Sequence, residues 1–205
     1  MWWRELEAQA RAATMQKDDR KTRIDPSASV AESARLDVSR GPITIGARTR
    51  ICEGAFIQGP AAIGDDCLIG NLAMIRGPVW IGKGTRIGFS AEIKSAIIQD
   101  RVTIGPQCFV ADSKIEADAY LGALVRTSNH RFDKGNVKVL HDGAWVDTGA
   151  EKLGCLIGAR SSLGIQVIVL PGRVIAPDSA FAPRITVEKN LPTGRYRLAQ
   201  QLETY

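Results

Sequence analysis

Two histidines and four cysteines are all that this chain of 205 residues offers for proton or thiol chemistry near neutral pH. His130 stands in the polar string Ser128-Asn129-His130-Arg131-Phe132, beside an amide that can orient a ligand. His141 opens the turn string His141-Asp142-Gly143 and reads as a turn residue. Two histidines cannot build a three-histidine metal site within one chain. Cys52, Cys67, Cys108 and Cys155 show no C-x-x-C spacing, so a zinc ribbon or redox pair is not expected, and no metal is assigned. Asp112 and Asp133 become useful bases only if their surroundings raise their pKa. The net charge of +5 is spread along the chain, which suits a small anionic ligand better than a nucleic-acid groove. Aromatics make up 6%, too few to stack a single strand, so no nucleic-acid partner is expected. Within 184–197, Arg184, Lys189, Arg195 and Arg197 face only Glu188 and could hold phosphates.

These residues are positioned by a repeat. From Ile45 to Ile93 every sixth residue is isoleucine, with glycine often next and a small or β-branched residue four positions on. A period of six fits neither an α-helix nor a β-meander; it fits a parallel β-helix of hexapeptides, three to a coil of about 18 residues. The isoleucines point inward and stack from coil to coil. Cys67, Cys108 and Cys155 each fall two residues before an inward position and read as small core fillers. The register extends upstream to Leu36, Val30 and Ile24. Downstream it slips by one at Ile98 and again at Ile115, then returns as Ile157, Leu163, Val169, Ile175, Phe181 and Val187. Between about 123 and 154 it breaks. VKVL (137–140) and AWVDTG (144–149) there suggest a long functional loop carrying a hairpin thrown out of one coil.

The expected fold is therefore all-β, with the β-helix over 22–190, a helical cap over 1–21 and a helical tail over 191–205. Trp2, Leu6, Ala10 and Ala13 share one helical face, which would close the open end of the coil stack. No apolar run reaches the ~18 residues of a membrane span. The first residues lack the apolar core of a secretory signal, so a cytoplasmic location is expected.

The strings TSNHRFDKGNVKV (127–139), VDTG (146–149), KLGCLIG (152–158) and LPG (170–172) resemble the C-terminal acetyltransferase domain of archaeal-type sugar-1-phosphate nucleotidylyltransferase/acetyltransferases. These are hexapeptide-repeat acyltransferases, and the likeness covers roughly 70–190. It implies a left-handed β-helix, a homotrimer, acetyl-CoA or another short acyl-CoA as co-substrate, and an amino sugar phosphate or related amine as acceptor. The likeness does not extend to the family's nucleotidylyltransferase domain, so a sugar-nucleotide synthetase is not expected. The resemblance places the phosphate pair at Arg76 and Lys94. Their spacing of 18 would bring them together on adjacent coils, where two cations tolerate each other best around an anion. It places Asn129 near the reacting amine. It implies acyl-CoA along the outside of the coils, near Ala123 and Cys155, with Arg184 and Lys189 reaching its phosphates. A β-helical carbonic anhydrase would need three zinc histidines, which this chain lacks.

Three departures matter. The family's histidine base falls at Pro106, its oxyanion-stabilising tyrosine at Phe109, and a further family asparagine near Tyr120. Three readings stay open. His130 supplies the base, or the acceptor is a weakly basic, already neutral amine that needs no strong base, or the protein is a non-catalytic trimeric binder or scaffold for a sugar phosphate or nucleotide sugar.

Overall fold

The computed structural model describes residues 1–15 and 20–199. Hexads become short strands joined by tight turns, and each strand pairs in parallel with its counterpart one coil on. The result is a left-handed parallel β-helix with three flat faces. The first face is a nine-stranded sheet running from Ser29–Val30 to Arg195–Tyr196. The second carries Phe56–Gln58 and Phe109–Ala111, and the third carries Ala61–Ile63 and Lys114–Ile115. These two fuse into one 14-stranded sheet because Met74–Ile81 and Glu92–Ile98 run on across the corner between them.

The inward ladder is the isoleucine series itself. Every member from Ile45 to Ile93 is buried, and so are Ile98, Ile104, Val110, Ile115 and Leu121. Register stacks like on like: Ile87 lies between Ile69 and Ile104. Both one-residue slips fall at the second–third corner. There the pairing jumps from Lys94↔Arg76 to Ala96↔Val79, one residue fewer on the later coil. Ser95 and Asp112 make these tightened turns with φ of 46° and 48°, the left-handed region.

Three expectations are corrected. The coil does not break at 123; it continues through Arg126–Thr127, which pairs with Ile168–Val169. Thr127 fills an inward position, and its hydroxyl accepts the Ala111 N–H at 2.8 Å. A threonine here interrupts the apolar pattern without interrupting the structure. The insertion then leaves at Asn129 and returns at Leu153, whose N–H bonds the Asn129 carbonyl. It contains the antiparallel hairpin Lys138–His141 with Ala144–Asp147.

The helix Trp2–Met15 does not cap the open end. It lies along the side of the coils against Met74–Ile81, Glu92–Ile98 and Lys114–Ile115. Trp2, Trp3 and Leu6 share an apolar cluster with Val137, Val139 and Leu153 of the insertion, and Trp3 meets the His141 ring edge-on. The insertion supplies that apolar partner, and among the described residues nothing caps the first coil, whose Ile24 is 43% exposed. The expected C-terminal helix is also replaced where residues are described: Arg195–Tyr196 adds a last strand to the first face, and Tyr196 stacks on Phe181. Residues 200–205 of that expected tail lie outside the described residues.

Candidate functional site

Arg76 and Lys94 are direct cross-strand neighbours on the second face, one strand spacing apart. Their repulsion is relieved by carboxylates. Arg76 Nη1 lies 2.6 Å from Glu92 Oε1, and Lys94 Nζ lies 3.2 Å from Asp112 Oδ2. Asn129 Nδ2 donates to the same Asp112 oxygen. The lost corner residue explains this geometry: the left-handed turn at Asp112 follows the Lys94 coil directly, with its N–H bonded to the Lys94 carbonyl. A cation, a carboxylate and an amide thus converge at the second–third corner, where the insertion begins. Asp112 also lines a cavity of about 200 Å³ beneath the helix, with Ser95, Thr148 and Lys152. The spacing of 18 between Lys94 and Asp112 was the available sequence signal for this contact.

His130 is not part of that cluster. It is exposed and lines a separate groove of about 800 Å³ with Arg131, Phe132, Lys138, Trp145 and Arg173. Consecutive residues therefore serve different concavities. Asp133 is committed to Arg131 and to the Gly135 N–H, which hold its carboxyl well below the usual range and make it a poor base. Pro106 lies at the first–second corner with Phe89 and Ala123, and Phe109 pairs with Arg126 on the second face.

The expected donor residues are not gathered into one site. Cys155 is fully buried, its N–H bonded to Ser113 Oγ and its carbonyl to the Lys114 N–H, so it offers no group to a ligand outside the coils. Burial pushes its thiol up to about 12 and that of Cys108 up to about 11, so neither is a nucleophile near neutral pH. Ala123 and Arg184 both lie at the first–second corner. Lys189 follows Thr186–Val187 towards the second–third corner, so it does not join them. Among the described residues no three metal-ligating side chains gather, and no helix is long and apolar enough to cross a membrane.

The bacterial transferase hexapeptide model (six repeats) matches residues 60–95, the most regular part of the ladder. The uncharacterized acetyltransferase YaiX of Escherichia coli O6:K15:H31 is 55% identical over 173 residues, spanning 84% of this chain and 75% of the relative. The chain belongs to the hexapeptide-repeat transferase family. A more distant member, the bifunctional sugar-1-phosphate nucleotidylyltransferase/acetyltransferase of Sulfurisphaera tokodaii, is 34% identical over 107 residues, which is 52% of this chain and 27% of that protein. A solved hexapeptide transferase family protein from Anaplasma phagocytophilum shares the fold. It has a TM-score of 0.50 and 16% identity, over 89% of this chain and 80% of that one.

Proposed function

We propose that this hexapeptide-repeat transferase is an acyl-CoA-dependent N-acyltransferase whose acceptor is a phosphorylated amine, an amino sugar phosphate being the class that suits it. The observation that carries the reading is the convergence of Lys94, Asp112 and Asn129 beside Arg76. Arg76 and Lys94 would exchange their carboxylates for the acceptor phosphate. That exchange frees Asp112 to hold the amine, with Asn129 fixing its orientation. Descent from a family with relatives named acetyltransferases supports acetyl-CoA as the donor.

The amine nitrogen attacks the thioester carbonyl carbon, and backbone N–H groups stabilise the oxyanion. The C–S bond then breaks. The proton leaves the nitrogen for Asp112 and passes to the departing CoA sulfur. Asp112 is preferred to His130 here because it faces Asn129 and is released from its ion pair when Lys94 turns to the acceptor phosphate, whereas the imidazole opens onto a separate groove. The expected assembly is a cyclic trimer, which the exposed Leu72, Phe89 and Ile165 along the first–second corner support.

The second reading, a trimeric binder without chemistry, is favoured by Pro106 and Phe109. The two separate on thiol release from acetyl-CoA with a panel of amino sugar phosphates, run beside calorimetric titration of the size-checked oligomer. Turnover should fall about 100-fold or more in Asp112→Asn and less than 10-fold in His130→Ala, within the usual span for a general base. Acetyl-CoA failing to bind an intact oligomer would overturn the transferase reading. A large loss in His130→Ala alone would move the base to the groove.

A further inference from the structure

Arg173 is placed at a cost that the coil does not require. Its Nε is buried and has no hydrogen-bond partner among the described residues, and its guanidinium lies 5.0 Å over the Trp145 ring. Burial first, and then the nearby Arg131, hold its pKa below the ordinary arginine value. Both effects disfavour a cation, and a buried unpaired donor costs free energy. Yet the side chain opens on the groove of about 800 Å³ lined by Arg131, Lys138 and His130. The one carboxylate of that lining, Asp133, is spent on Arg131. The groove therefore carries surplus positive charge and an unused donor.

Its walls are flat and apolar. Phe132 is fully exposed, Trp145 is more than half exposed, and Ile168 and Leu170 form the floor. Register carries the Arg76–Lys94 column along the second face to Ser128 and Leu170, so the groove continues the strip that begins at the phosphate pair. A volume of this order accommodates a ligand of nucleotide size.

We propose that this groove binds a nucleotide, with a phosphoryl group on Arg173 and Lys138 and the base against Trp145 and Phe132. An arginine fork suits a phosphate, and an indole offers a stacking surface to any base. Two sources share this chemistry: the nucleoside diphosphate of an activated sugar, and the adenosine bisphosphate end of an acyl-CoA. The assignment does not depend on acyl transfer, because binding is read without turnover.

The test is calorimetric titration of the full chain with inorganic phosphate, UDP and adenosine 3′,5′-bisphosphate. At least one nucleotide should bind saturably at one site per chain, and inorganic phosphate should compete with it. Arg173→Met and Trp145→Ala should each weaken binding about tenfold or more. Arg173→Met should stay folded with little change in melting temperature, since the loss of the contact over Trp145 is offset by removing the unpaired Nε; a purely structural arginine would lower it and leave nucleotide binding unchanged. If that variant fails to fold, Phe132→Ser, at a fully exposed position, should still weaken binding. UDP binding alone assigns the acceptor as source, and bisphosphate binding alone assigns the donor. The proposal is overturned if no nucleotide binds the wild type. It is overturned equally if folded Arg173→Met binds as the wild type does, or if that variant falls apart into monomers, which would make the groove a subunit seam.

Discussion

At the residue scale, a position that looks like a defect in the pattern is a structural solution. Thr127 interrupts the inward apolar series, and on pattern alone Thr127→Val should improve the core. The hydroxyl, however, accepts the buried Ala111 N–H at 2.8 Å, and valine leaves that donor unpaired. We expect Thr127→Val to lower stability by about 1–3 kcal/mol, the usual cost of a stranded buried donor, as read by urea denaturation. An unchanged or higher midpoint would show that water or a backbone shift satisfies Ala111. The same logic limits what sequence could say about the site. Pro106 and Phe109 were legible as losses, because they follow from identity at a position. The Lys94–Asp112 contact was legible in principle from its spacing. Arg173 was not, because its meaning depends on Trp145, which reaches it from the inserted hairpin.

At the element scale, the repeat period predicted the coils and the slips, and the strings VKVL and AWVDTG the hairpin, because each is a local pattern. It could not place the helix. Trp2, Trp3 and Leu6 define an apolar stripe, but a stripe does not name its partner, and the insertion's Val137 and Val139 win over the open coil end. One ion pair accompanies the placement. Lys114, 8% exposed at the edge of the third face, meets Glu5 at 2.8 Å. Glu5 is half exposed, so the pair itself contributes little. Removing the carboxylate strands a nearly buried ammonium, whereas replacing the lysine by an apolar chain strands only a surface acid. Glu5→Gln should therefore cost about 1–2 kcal/mol and Lys114→Met about zero or less. Chemical denaturation of both variants checks this, and the reverse order would mean that the lysine stem, not its charge, holds the helix.

At the scale of the whole molecule, each coil rests only on its neighbours, so stability is a sum of coil and interface contributions along one axis. The ladder is dense in the middle, where Ile87 is buried between Ile69 and Ile104, and thin at the start, where Ile24 stacks on Ile45 alone and is 43% exposed among the described residues. A truncation should cost according to that position, because the same methyl groups are removed from different surroundings. Ile87→Ala opens a cavity that the stacked neighbours cannot close, and about 2–5 kcal/mol is expected. Ile24→Ala removes contacts already half lost to solvent, and less than about 1 kcal/mol is expected. Hydrogen exchange gives an independent reading: amides of the first coil should exchange through local fraying, while those around Ile87 should need near-global opening. If the helix capped the stack end instead, both measurements would come out level, with Ile24→Ala as costly as Ile87→Ala. The expected gradient thus tests the side-on helix and the one-dimensional architecture together.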